Sequence, residues 1–214
     1  MFKFNFILFL SYFLVVEGAL EEEKSKPWLE DCVPADIGIS PVQHKYAEEN
    51  MPVSRISFSS CNKAHLMSQA PSFWSDVRLV SRPDIWMWTG DAIYSDGTDM
   101  NVKRELYNQA REEPSYKEWG PVSEEHGHIP VMATWDDHDF AYNNGGNEYP
   151  CPRDSQLEFV THFNISVTDP QHPDSPHYRP GVYNSRMFVK PGTEEPGIHV
   201  IMMDGRIGNH ELNI

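Results

Sequence analysis

Asp136, Asp137, His138 and Asp139 stand directly after the apolar run Ile129 to Trp135. Carboxylates and an imidazole packed this tightly repel one another or shift their pKa values unless a cation or a reacting group sits among them. The cluster is therefore a candidate metal or acid–base site, with a solvated acidic turn after a strand as the bland alternative. Three other stretches bear on that choice. Arg55 to Cys61 alternates and ends in Cys61-Asn62, Asp84 to Thr89 is largely apolar and ends in Gly90-Asp91-Ala92-Ile93-Tyr94, and Ile198 to Met203 ends in Asp204-Gly205-Arg206. Each run reads as a strand and delivers a chemistry-bearing residue (Cys61, Asp91, Asp137 or Asp204) at its C-terminal end. Open α/β sheets bind ligands at that edge. Aspartate is favoured in turns anyway, which lowers the weight of each end taken singly.

The donor types suggest what would bind. Gly90 lets the backbone turn sharply so that Asp91 projects over the sheet edge, and Tyr94 reaches the same point if a helical turn begins there. An aspartate and a tyrosine sharing one centre suit a hard, trivalent-type cation, whereas a lone tyrosine more often packs on the next helix. Cys61 as a thiolate needs a nearby cation; otherwise it is a small buried hydrophobe or half of a disulfide. Cys32, Cys61 and Cys151 cannot all pair, and with Cys32 and Cys151 available to each other Cys61 is left free. Asp137 adds a carboxylate, and His138 is placed to stabilise a phosphoryl transition state or to protonate a leaving group. Two cations a few ångströms apart, one activating water, would make a metal-assisted phosphoester hydrolase.

Strand, helix, strand, helix, strand with apolar strands predicts an α/β fold, a layered sheet with flanking helices. Helices are expected over Ser68 to Ser81 (Phe73, Trp74, Val77 and Val80 on one face), Met100 to Arg111, and Ser155 to Asn164 (Leu157, Val160 and Thr161 on one side). Asp169 to Tyr183, rich in Pro and His, reads as a surface excursion, and Val182 to Val189 with Ile198 to Met203 as a closing strand pair.

Residues 1–18 read as a signal peptide, with Lys3 before an apolar stretch too short to span a bilayer comfortably. No stable membrane span is expected after its cleavage, so the protein is expected to be secreted or in the secretory lumen; an uncleaved anchor is the alternative. Asn164-Ile165-Ser166 is a glycosylation sequon consistent with that route. Residues 19–52 read as an irregular N-terminal segment. A formal charge of −15 argues against nucleic-acid binding, and any phosphate chemistry would need cations to supply positive charge.

Phe58-Ser59-Ser60-Cys61-Asn62, Thr89 to Tyr94, Thr134 to Asp139 followed by Asn143-Asn144, and Met203 to Arg206 together resemble, in order, the motifs of the alkaline phosphatase D family of calcineurin-like metallophosphoesterases. The resemblance runs from about Val53 onward. It implies a metallophosphoesterase-like fold over 53–214, phosphomonoesterase or phosphodiesterase activity, and Fe(III) with Ca2+, other divalent cations being admissible. By motif match Cys61, Asp91 and Tyr94 would hold iron, Asp137 would be a further metal ligand, and His138 would face phosphate. Asp136, Asn144, Asp204 and Arg206 would support these groups or touch substrate. Family members continue past the fourth strand and draw further histidine and aspartate ligands from that part, while here only His210 follows Arg206. The expectation is thus a truncated catalytic domain. The leading reading is a secreted phosphoester hydrolase with a dinuclear site. A truncated, non-catalytic fragment that binds metal or a partner is the alternative. A lipid hydrolase, which the bare Asp-Asp-His-Asp tetrapeptide would suggest, ranks lower, because no Gly-x-Ser-x-Gly elbow is present and a leader disagrees.

Overall fold

Three short apolar strands, β1 (Ile56–Ser59), β2 (Ile85–Thr89) and β3 (Val131–Thr134), lie parallel in that spatial order. The register sets Ile56 opposite Ile85 and Trp86 opposite Val131. The computed structural model describes residues 31–63 and 69–208; the expected leader and His210 lie outside the described residues. Successive strand side chains point to opposite faces, and the sequence uses both. Trp86, Trp88, Val131 and Ala133 enter a large core shared with the helices, while Ile85 and Met132 enter a smaller one with Ala47, Val53, Phe188 and Met202. β2 and β3 are largely buried on both sides, as expected within a parallel α/β sheet, whereas the edge strand β1 leaves Phe58 exposed.

Helices α1 (Phe73–Asp76), α2 (Met100–Glu112), α3 (Pro114–Trp119), α4 (Asp137–Phe140) and α5 (Pro152–His162) join the large core together with loop residues such as Ile93, Trp135 and Ile165. Asp99 caps α2 by accepting the Asn101 N–H at 2.9 Å, and Pro114 and Pro152 occupy first-turn positions that need no donor. A bidentate pair joins α2 to α5, with Arg104 Nε and Nη2 at 2.8 and 2.7 Å from the two Glu158 oxygens. The antiparallel hairpin β4 (Asn184–Val189) and β5 (Pro196–Met202) covers the smaller core. The result is layered: helices, parallel sheet, hairpin.

Several expectations change. The first helix begins at Phe73 and its second half, Val77–Ser81, is a π-helical turn. A wider turn advances each residue by a smaller angle, so the residue three on from Val77 no longer returns to the buried face. Trp74 and Val77 are buried, but Val80 points to solvent at 69% exposure. The last helix starts earlier than Ser155, at Pro152, and α3 and α4 were not legible as separate helices. The fourth chemistry-bearing strand is not part of the parallel sheet: among the described residues β5 pairs with β4 alone, in the opposite direction. The irregular N-terminal stretch is woven in, since Tyr46 bridges Val131, Val33 bridges Asp99 and Pro52 bridges Val189. The Cys32–Cys151 disulfide ties it to the start of α5 and leaves Cys61 free. The excursion 169–183 is a chain of turns pinned from α5, where Gln156 Nε2 donates to the Gln171, Arg179 and Gly181 carbonyls.

Candidate metal centre

The parallel ladder continues past the strands. Cys61 N–H donates to Gly90 O and Asn62 N–H to Asp91 O (3.2 and 2.7 Å), so the chain leaves β1 and β2 together. Cys61 (φ 59°) and Asp91 (φ 49°) both adopt the left-handed conformation, as does Asn144 (φ 60°). Such strain in non-glycine residues persists where the surroundings hold it, and it clusters at functional sites. Gly90 has φ +116°, and a Cβ there would stand 2.6 Å from Asp136 Cβ. Only glycine lets the end of β2 approach the residue that opens the Asp136–Asp139 cluster.

Asp91, Asp137 and His138 each present a ligand atom, all within 4.8 Å of one another. Asp91 is 6% exposed, and its Oδ1 is buried without a hydrogen-bond partner. Cys61 Sγ is 3.7 Å from Asp91 Oδ2. The Cys61 side chain is exposed rather than buried as a small hydrophobe. Tyr94 does not begin a helix, yet its ring packs against His138 with centroids 4.4 Å apart and the planes tilted by 41°, and Lys63 Nζ sits 4.8 Å from its centroid. Burial pushes the Tyr94 phenol well above its ordinary value, and hydrogen bonding to Cys61 and the charge of Asp91 push it further. Burial also raises the Asp91 carboxyl; Asp137 and Asp136 add to this and His138 opposes it.

Asp137 is held by the backbone of the following turn: its Oδ2 accepts the Asn144 N–H at 2.5 Å and its Oδ1 the His138 N–H at 3.1 Å. The contribution of Asn144 is thus its main chain. Arg206 bonds Asp136 Oδ1 through Nε (2.6 Å) and Nη2, and Nη2 lies 3.8 Å from Asp137 Oδ1. Asp204 turns inward to its own loop, accepting the Arg206 and Ile207 N–H groups on Oδ1 (2.8 and 3.0 Å) and the Val182 N–H on Oδ2 (2.8 Å). It shapes the loop that carries Arg206. Although β5 belongs to the other sheet, its end reaches the site because Thr134 Oγ1 donates to Met203 O at 2.7 Å. The sequon residue Asn164 is exposed, with Nδ2 donating to His44 O at 3.2 Å.

Asp96 was not singled out from sequence, and Asp139 was named there only as a member of the acidic cluster, with no role of its own. Asp96, five residues past Asp91, accepts from His138 Nδ1 at 2.9 Å and from the Asn143 N–H at 3.1 Å. Asp139 is fully buried beside Lys103, itself fully buried, whose Nζ donates to the Asp139 carbonyl at 2.6 Å. Burial pushes the Asp139 carboxyl up and the Lys103 amine down, and each charge partly restores the other. The signal for Asp139 was present as the third acid of the cluster, whereas an isolated Asp96 gave none.

The donor set fits a cation. Two carboxylates, an imidazole and a neighbouring thiol converge, and the buried Asp91 Oδ1 has no hydrogen-bond partner to repay its desolvation. Fold and site together define an α/β protein whose parallel strand ends carry a candidate metal centre. Among the described residues no helix is long and apolar enough to cross a membrane. No protein-family model and no curated protein matches the sequence. A solved chain titled "Structure of PhoD" is similar to it, with a TM-score of 0.45 and 19% identity, the match covering 64% of this chain and 30% of that one.

Proposed function

We propose that this chain carries the metal site of a secreted phosphoester hydrolase acting on phosphomonoesters or phosphodiesters. The observation that carries the reading is the meeting of Asp91, Asp137 and His138 at strand ends around a buried, unpartnered carboxylate oxygen. Cys61, Asp91 and Tyr94 would hold Fe(III) and Asp137 a neighbouring Ca2+, supplying charge neutralisation and a water of lowered pKa. His138 Nδ1 lies 2.9 Å from Asp96 Oδ1, and as an imidazolium the ring would donate Nδ1–H to Asp96 and carry its second proton on Nε2. His138 Nε2 would give its proton to the departing ester oxygen as that P–O bond breaks. The attacking water would form the new P–O bond, and the proton it loses would restore the imidazolium. The products are an alcohol and a phosphate, or a phosphomonoester where the substrate was a diester. Arg206, neutralising Asp136 and within reach of Asp137, would steady a phosphoryl oxygen. The Cys32–Cys151 disulfide supports an oxidising compartment.

Turnover of a chromogenic phosphate ester tests the reading. It should require added cation, vanish with chelator and be eliminated by Asp91→Asn. A second reading, a chain that holds a cation without hydrolysing esters, is favoured by one observation: among the described residues one such ligand cluster is present. Cation binding without any turnover would select it.

A further inference from the structure

Asp139 is the one acid of the Asp136–Asp139 cluster with no exposure at all. Its Oδ2 accepts the Ala92 N–H at 3.3 Å and the Asp136 N–H at 3.2 Å; its Oδ1 accepts the Ile93 N–H at 3.2 Å and the Tyr107 hydroxyl at 3.3 Å. A carboxylate offers about four acceptor positions, so this one is filled from inside the fold and has none left for a cation. Its partners are specific in place. Ala92 and Ile93 directly follow Asp91, Asp136 directly precedes Asp137, and Tyr107 comes from α2, which also sends Lys103 to the Asp139 carbonyl.

We propose that Asp139 is the positioning residue of the centre: it fastens the Asp91 loop to the Asp137 loop and so sets the separation of the two ligand carboxylates. This rests on the metal-site reading above. An asparagine in its place keeps the size but turns one acceptor into a donor. If the amide nitrogen takes the Oδ2 place it faces the Ala92 and Asp136 N–H groups; in the Oδ1 place it faces the Ile93 N–H. Either way at least one strand-end loop loses a hydrogen bond that fastens it.

Calorimetric titration of the purified chain with Mn2+, with the melting temperature read on the same samples, tests this. Asp139→Asn should weaken Mn2+ binding by about tenfold or more, the usual effect of removing a group that orients metal ligands. Val77→Ala, a cavity in the large core at a residue with no hydrogen bond to Asp139 or its donors, should lower the melting temperature and leave Mn2+ affinity as it was. Wild-type affinity in folded Asp139→Asn would overturn the positioning role and leave the metal reading standing. No Mn2+ binding by the wild type, or full binding by Asp91→Asn, would overturn the metal reading itself. If Asp139→Asn does not fold, Tyr107→Phe decides: it removes one hydrogen bond to Oδ1 and should weaken Mn2+ binding several-fold, on the scale of one such bond. Unchanged affinity there would overturn the role.

Discussion

His138 Nδ1 lies 2.9 Å from Asp96 Oδ1, although 42 positions separate the two residues. The Asp96 carboxylate is more than half exposed while the His138 ring is largely covered, so the aspartate can orient the ring without being needed for the core. Removing it should leave the fold intact and release the imidazole. Asp96→Ala is expected to lower kcat by about 10–100-fold with little change in melting temperature. Asp96→Asn, which keeps an acceptor but loses the charge, should fall between. Steady-state kinetics beside a thermal melt checks both, and equal kcat in Asp96→Ala and wild type would refute the orienting role.

Tyr94 offers a spectroscopic check on the proposed iron. Its phenol is pushed toward the protonated form by burial and by Cys61 and Asp91, and a ferric ion at these same atoms would reverse that preference. Protein loaded with Fe(III) should show a visible charge-transfer band. Tyr94→Phe should lose the band while staying folded, and a band that survives assigns the ligand elsewhere.

At Gly90 the question is stability and shape together. With φ +116° and Asp136 Cβ 2.6 Å from the place of a new methyl, Gly90→Ala must strain its own backbone and displace Asp136. The backbone conformation alone should cost about 1–3 kcal/mol. Urea unfolding would show it as a lower midpoint with an unchanged slope. A midpoint at the wild-type value would mean that the close approach is easily relaxed.

His44 and His162 predict the acid limit of the fold. Burial holds the His44 imidazole down at about 3, against an ordinary 6.5, and His162 also well below 6.5. His44 bonds the His162 carbonyl at 3.0 Å and the Tyr116 hydroxyl at 2.7 Å, with the buried Arg111 adding repulsion to any new charge. Below pH 6.5 the unfolded chain takes up protons that the folded chain refuses. Stability is therefore full above that pH and falls toward pH 3, at up to about 1.4 kcal/mol per pH unit for each histidine. Urea midpoints across this range should drop steeply for the wild type and less for His44→Gln. A flat profile would contradict the buried neutral pair.

How far the sequence led depends on whether a feature is local. The strands ending in Cys61, Asp91 and Asp137 and the helix after Met100 were legible, because apolar runs and capping residues act within a few positions. The outward turn of Val80 was not, since a change from α- to π-helical bonding leaves no mark in apolar spacing. The pairing of β5 with β4 was legible as a closing strand pair, but that this hairpin stays out of the parallel sheet was not, because nothing in the residues of β5 itself decides it. In the site, Asp91, Asp137 and His138 could be picked out because each stands at the end of an apolar run. Asp96 could not, because an aspartate among Ser95 and Gly97 looks like any turn. Which acids face the cleft and which face inward, the difference between Asp137 and Asp139, is set by the three backbone donors that capture Asp139. Those donors come together only once the loops have folded.

The bond between Cys32 and Cys151 spans 119 positions, and Cys61, Asp91, Asp137 and His138 all lie between its ends. A protease that nicks the chain once anywhere inside that interval makes two pieces that stay covalently joined. On a denaturing gel such a product would run as a single intact species until thiol is added, and then split into its fragments. Asp204 and Arg206 lie beyond the bridge, so a cut between Cys151 and Asp204 would release them without any reductant. Cleavage sites on the two sides of Cys151 can thus be told apart by reduction alone.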